Sequence, residues 1–237
     1  MRNILLLLPL VVLLSGCLYP DERRQAHQPP DETQIATVQQ AVEAFQESTD
    51  GLLPIKTIEA PQEFMKYQID FERLIPTYLG DHPGNAYEAG GIYQYVIVDA
   101  ETDPQVKIAD LQTFEALRSL QLRIQGMGPH VELGEQVGPN VYQLDLEHYN
   151  LSENPTVTSP YTGFELDVYY SGGQEWVVDY RPDVMRIIED QSLTFETGDD
   201  AREILYTYTP VVPVFSPEIT VDENNSPIFM TSKHRND

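Results

Sequence analysis

Apolar side chains recur at helical spacing near the start of the folded chain and alternate at strand spacing through much of the rest. Ile35, Val38, Ala41, Val42 and Phe45 share one helical face, Asp31 and Gln34 stand at capping-box spacing before them, and Gly51 supplies a stop. The run 52–58 reads as extended around Pro54. Tyr67, Ile69 and Phe71 alternate with Lys66, Gln68 and Asp70, which predicts a strand over 65–71. A brief helix is expected over 72–79, and the Gly- and Asn-containing segment 80–91 reads as a loop. The strongest strand pattern is 92–98, which turns through 99–104 and returns over 106–109 as its hairpin partner. Asp110 is placed to cap a helix carrying Leu111, Phe114, Leu117 and Leu120 that stops before Gly126 and Gly128.

The second half is richer in strands. Segments 131–133, 141–146 and 164–170 carry the pattern, and Ser171-Gly172-Gly173 turns the chain into a strand over 175–180. Residues 183–189 form a short helix bearing Val184, Ile187 and Ile188. Segments 204–209 and 211–215 read as a strand pair around Pro210, with Pro213 marking the second as an edge strand. From Glu218 the chain reads as a loosely held tail. The whole predicts an α+β fold of short, mainly antiparallel strands with a few helices. It divides into a first half (31–128), a strand-rich second half (129–217) and the tail (218–237).

An internal echo links the halves. Tyr67-Gln68-Ile69-Asp70-Phe71 and Trp176-Val177-Val178-Asp179-Tyr180 both read aromatic–x–aliphatic–Asp–aromatic, and the same offset lays 94–98 on 203–207, strand on strand. The expectation is a weak duplication of a β–β–α–β-like unit. Asp70 and Asp179 would each end a strand and cap the helix that follows.

Ahead of the first helix stands a different pattern. Arg2 precedes an apolar run, 4–14, broken only by Pro9. It is shorter than the roughly 20 residues a bilayer span needs, and suits the core of an export signal. It ends in Leu14-Ser15-Gly16-Cys17, small residues followed by a thiol, as in a lipobox. The reading is a lipoprotein signal peptide over 1–16 and a Cys17 carrying diacylglyceryl, palmitate-type lipid on the extracytoplasmic face of the cell membrane. A polar, proline-containing tether over 17–30 follows, reaching on the order of 20 Å.

Charge then narrows the partners. Fourteen Lys and Arg oppose 38 Asp and Glu, a net charge of −24. Such a chain repels nucleic acid phosphates, and it repels anionic headgroups beyond its own anchor. Adaptation to the surroundings is the simpler account of this acidity, ahead of a dedicated ligand. Hydrophobic residues at 41% describe a chain that folds. Cys17 is the single cysteine, so there is no intramolecular disulfide and no cysteine-based zinc site, in keeping with a Gram-positive envelope.

Candidate chemistry is sparse. There is no Gly-x-Ser-x-Gly elbow, and lipidation consumes the thiol. Glu165 and Asp167 share a strand face and read as solvated, Ser171 as a turn residue. His82 beside Asp81 and His148 beside Glu147 lack helical zinc spacing, while Asp199-Asp200 and Asp222-Glu223-Asn224-Asn225 lack the EF-hand pattern. No catalytic residue, metal ligand or cofactor is expected. Tyrosine is abundant, at 14 copies. Strand packing accounts for most of Tyr87, Tyr93, Tyr95, Tyr161, Tyr169, Tyr170 and Tyr180, and a glycan or peptide cleft is the use left for the others.

The lipobox with Cys17-Leu18-Tyr19-Pro20, then Gly51-Leu52-Leu53-Pro54-Ile55, Tyr67-Gln68-Ile69-Asp70-Phe71 and Asn85-Ala86-Tyr87-Glu88-Ala89-Gly90-Gly91-Ile92-Tyr93-Gln94-Tyr95, carry a resemblance. Together they resemble the YphF-type lipoproteins of bacilli over most of the mature chain. The resemblance implies a Gram-positive envelope and brings no assigned activity and no functional residue; members are often labelled as binding components of transporters. The expected function is a non-enzymatic binding or interaction module for an envelope protein or glycan. The alternative is the solute-binding subunit of an ABC importer. Solute receptors typically use βαβ-rich lobes with parallel sheets, whereas this chain reads as antiparallel.

Overall fold

Asp31 starts the first helix as its position requires. In the computed structural model its Oδ1 accepts from the backbone N–H groups of Thr33 and Gln34, at 3.0 and 3.3 Å. The reciprocal arm differs from a capping box, because Gln34 Nε2 donates to Asp31 Oδ2 (2.8 Å) rather than to the backbone. The structure describes residues 30–58 and 62–230. The signal peptide, Cys17, the tether as far as residue 29 and the end of the tail, 231–237, lie outside the described residues.

Helix α1 (Glu32–Ser48) buries Ile35, Val38, Ala41, Val42 and Phe45, the stripe read from the sequence. It lies on a four-stranded antiparallel sheet ordered β1-β2-β3-β4. The strands are β1 (Ile55–Thr57), β2 (Tyr67–Ile69), β3 (Tyr93–Val98) and β4 (Gln105–Asp110). A single helical turn, α2 (Phe71–Leu74), follows β2. All six residues of β3 are buried, because both faces of the sheet are covered. Tyr93, Tyr95 and Ile97 join the core beneath α1, and Val96 and Val98 join a smaller core on the far face with Met65, Ala109, Val212 and Val214.

Asp110 ends β4 and caps helix α3 (Leu111–Gln125), its Oδ1 accepting from Gln112 N–H at 2.9 Å. This helix lies within 31–128, yet Leu117, Leu120 and Ile124 pack into the core of the second half. That core rests on β5 (Leu133–Gly138), β6 (Val141–Leu144), β7 (Thr156–Thr158), β8 (Glu165–Ser171) and β9 (Trp176–Val178). Strand β8 pairs antiparallel with β6, β7 and β9. Helix α4 (Arg181–Gln191) adds Val184 and Ile188 to the core, and helix α5 (Glu203–Tyr208) adds Ile204 and Leu205. The described chain is thus a mixed α+β fold with five α-helices and short antiparallel strands.

Three expectations are corrected. Segment 204–209 is helix α5, not a strand. Ile204 and Tyr208 share a face at either period and Leu205 joins them only in a helix, a distinction the short run does not make legible. Segment 211–215 therefore has no hairpin partner and instead runs between the two sheets. Ile108 N–H donates to the Pro210 carbonyl and Val212 N–H to the Ile108 carbonyl, both at 2.9 Å. At its other end Val178 N–H donates to the Phe215 carbonyl (3.0 Å). With 203–207 helical, the duplication loses its strand-on-strand match; its strand–Asp–helix half stands.

The tail is the third correction. Within the described residues from Glu218 to Met230 it forms a paired ribbon, β10 (Ile219–Val221) and β11 (Pro227–Phe229). Ile219, Val221 and Phe229 are buried in the second core. Phe229 lies so close to Gly138 that a Cβ there would sit 2.5 Å from its ring.

Candidate functional site

The loop over 80–91 is closed on itself by glycine. A Cβ on Gly91 would lie 2.1 Å from the Asn85 carbonyl oxygen, so no other residue fits. The closure brings Gly91 N–H to the Ala86 carbonyl (2.8 Å) and Tyr93 N–H to the Asn85 carbonyl (3.1 Å). Tyr95 Oη donates to Asn85 Oδ1 (2.7 Å), and Gln34 Oε1 accepts from Asn85 N–H (3.3 Å). A short 3₁₀ turn, Tyr87–Ala89, rides on this closed loop and leaves Tyr87 63% exposed.

Beside it opens a groove of about 690 Å³, within the ordinary range for ligand sites. Gln68 of β2 and Gln94 of β3 line it from the far face of the first sheet. Met65, Tyr87, Gly91 and Ile92 form one wall, and the first turns of α3, with Leu111, Gln112, Phe114 and Glu115, form the other. Gln94 is only 7% exposed, yet its one hydrogen bond among the described residues is a long Nε2 contact to the Tyr95 carbonyl, at 3.4 Å. The side chains of Gln68 and Gln112 have no hydrogen-bond partner among the described residues. No Ser, Cys, His, Lys or Arg lines the groove. It offers amide donors and acceptors on an apolar bed, with Glu115 as its one carboxylate.

A second polar cluster is buried between the halves. Asp183 is fully buried; its Oδ1 accepts from Thr162 Oγ1 (2.6 Å) and Ser159 Oγ (2.8 Å), and its Oδ2 has no partner. Burial pushes this carboxyl above its ordinary value, against the two hydrogen bonds that favour the charged form. The Tyr161 and Tyr180 rings meet edge to face, 5.6 Å apart. Their hydroxyls donate to the carbonyls of Val211 (3.3 Å) and Val214 (3.1 Å). Burial also raises both phenols and the carboxyl of Asp110. The cluster is enclosed, and it ties the 159–164 loop and the 210–215 segment to α4.

The two echo aspartates diverge. Asp70 makes no side-chain cap; its carboxylate meets Arg73 Nε (3.2 Å) and Lys56 Nζ (3.8 Å) instead. Helix α2 is one turn long, so a neighbouring cation competes with its few free N–H groups. Asp179 does reach its helix, accepting from Arg181 N–H (3.1 Å), but it also holds the Arg181 guanidinium through Nε (2.8 Å) and Nη2 (2.7 Å). That guanidinium lies 3.8 Å over the Phe229 ring and so secures the ribbon.

The remaining sequence candidates have structural roles. Glu165 accepts from Thr156 and Thr158 hydroxyls (2.8 and 2.9 Å), joining β7 to β8, and Asp167 accepts from Tyr169 Oη (3.1 Å). Ser171 Oγ accepts from Glu175 N–H in its turn (3.2 Å). His82 packs against Phe71 and His148 against Tyr149. Asp200 pairs with the buried Arg202 (2.6 Å), and Asp222 closes the ribbon turn by accepting from Asn224 and Ser226 N–H. Among the described residues no group of three or more His, Cys, Asp or Glu is placed to hold a metal ion. The groove glutamines escape sequence reasoning. Their one signal is a polar residue between aromatics on the most apolar strand, Tyr93-Gln94-Tyr95.

Residues 31–110 match the family model described as the YphF family N-terminal domain. No curated protein and no solved structure matches the chain. The matched segment supplies α1, the first sheet and the Tyr87 loop, and it stops one residue short of α3, whose first turns complete the groove. The region that builds the groove floor is therefore a YphF family N-terminal domain.

Proposed function

We propose that this protein is a lipid-anchored extracytoplasmic module, without enzymatic activity, that binds an envelope partner in the groove between the first sheet and α3. The observation that carries this reading is Gln94, a buried amide that opens on the groove with unspent hydrogen-bonding capacity, flanked by two more carboxamides without a partner among the described residues. The free amide atoms of Gln94 reach the groove rather than being sealed without a partner, so water meets them in the free protein and a ligand group can replace that water. The lining supports binding over catalysis, since Glu115 is its single carboxylate and no second acid, histidine or thiol stands with it to form an acid–base pair.

The anchor rests on the lipobox around Cys17. Among the described residues no helix is long and apolar enough to cross a membrane. The ladders between strands are antiparallel throughout the described sheets, which favours an interaction module over the importer subunit with its parallel βαβ lobes.

A photoreactive residue placed at Tyr87 in intact cells tests the reading. Crosslinking to an envelope component is expected there and not from Glu153, an exposed position in the second half. Absence of any adduct at position 87 would refute the groove as a binding site.

A further inference from the structure

Taking the groove as a binding site, we infer that its ligand is a neutral glycan bearing acetamido groups. Strand β3 lies between β2 and β4, paired along its length with β4 and at Val96 with Gln68 of β2, so the groove floor is not an outer strand edge for a peptide to extend. Hydrogen bonding from the floor and the α3 wall therefore comes from side chains, and those are the carboxamides of Gln68, Gln94 and Gln112 with the Glu115 carboxylate as a further acceptor. A carboxamide presents a donor and an acceptor side by side. An acetamido group presents the complementary pair, and sugar hydroxyls match either member.

The apolar part of the lining fits the same ligand. Tyr87 stands exposed on a loop locked by Gly91 and by the Tyr95–Asn85 hydrogen bond, so its ring is presented without much loss of freedom. A flat ring of this kind covers the C–H face of a pyranose, and Met65 and Phe114 give an acetamido methyl an apolar seat. Charge excludes the anionic alternatives. Glu115 is the one acidic group of the lining, no cation accompanies it, and the chain carries −24 overall. A phosphate-linked or uronic acid polymer meets repulsion; a neutral glycan does not.

Calorimetric titration of the full chain with tetra-N-acetylchitotetraose (chitotetraose below) and cellotetraose isolates the acetamido group, since the two share a backbone and differ at that substituent. Chitotetraose is expected to bind at least tenfold more tightly, equivalent to about 1.4 kcal/mol. Gln94→Leu should reduce chitotetraose to the cellotetraose level. Gln112→Ala, on the half-buried first turn of α3, should produce the same loss of discrimination without touching the core. Tyr87→Ala should weaken both oligomers by a similar factor, about tenfold. Equal affinity for the two oligomers would overturn the inference, and so would binding of a neutral glutamine-rich peptide in their place. Failure of both sugars while the Tyr87 crosslink persists in cells would overturn the glycan and leave the binding module standing. Loss of the crosslink as well would remove both.

Discussion

Thr162→Val would remove the hydroxyl that donates to Asp183 Oδ1 at 2.6 Å, with little change of shape. Asp183 is fully buried and its Oδ2 has no partner, so Oδ1 carries the hydrogen bonding of the whole carboxylate. After the substitution Ser159 Oγ, at 2.8 Å, would remain as the sole donor. A hydrogen bond to a charged group contributes about 1.5–3 kcal/mol, and the upper part of that range is expected at pH 8. The sign with pH follows from the direction of the shift. Burial holds the Asp183 carboxyl above its ordinary value of 3.8, so the fold favours the protonated form. That contribution is fully present below 3.8 and is lost as pH rises through the folded-state value. Thr162→Val raises the folded-state value further, so its cost grows from pH 4 to pH 8. Asp183→Asn, neutral throughout, should gain on the wild type over the same rise. Urea unfolding followed by the fluorescence of Trp176, buried in the second core, reads the midpoints at each pH. A Thr162→Val midpoint equal to wild type at pH 8, or a cost larger at pH 4, would refute the assignment.

Other perturbations have defined outcomes. Cys17→Ala should release the protein from the membrane fraction or leave it unprocessed, as cell fractionation and intact mass would show; membrane-bound, processed Cys17→Ala would remove the lipid anchor from the proposal. Asp179→Ala should cost about 2–3 kcal/mol, because it strips a half-buried guanidinium of a bidentate partner. Asp70→Ala, whose cationic partners are about half exposed, should cost under about 1 kcal/mol in the same denaturation series. Gly91→Ala should break the loop that presents Tyr87, lowering the thermal midpoint and abolishing crosslinking at position 87; an unchanged melt would show that the close approach to Asn85 relaxes freely.

Where one period dominates, the fold is legible in the sequence. The α1 stripe from Ile35 to Phe45, the β3–β4 hairpin and the Asp110 cap follow from spacing and turn chemistry alone. Strand β5 is hidden because Leu133 to Gln136 are exposed and leave no alternation, and β7, three residues long, is too short to show one. The 211–215 segment was legible as extended, but its partner was not. A single bridge to Ile108 depends on packing across the two halves. The groove fails for a related reason. Gln68, Gln94 and Gln112 are far apart in the chain, and a glutamine between two aromatics reads as the solvent side of a strand. Here that side is covered by Met65, Val212 and Val214, which turns an ordinary surface amide into a buried one.

The 210–215 segment bears on how the molecule folds as its chain emerges. Val96, Val98 and Ala109 on the far face of the first sheet are covered by Val212 and Val214. The cover lies on the order of 100 residues later in the chain, so closure joins distant segments and is slow. A chain emerging amino end first would expose this apolar strip and the open edge at Ile108 until nearly all of it was free. The YphF-family segment by itself is then an unfinished surface, prone to pair with another copy. Folding is completed from the far end, and a chaperone acting on this protein would be engaged until Phe215 has emerged.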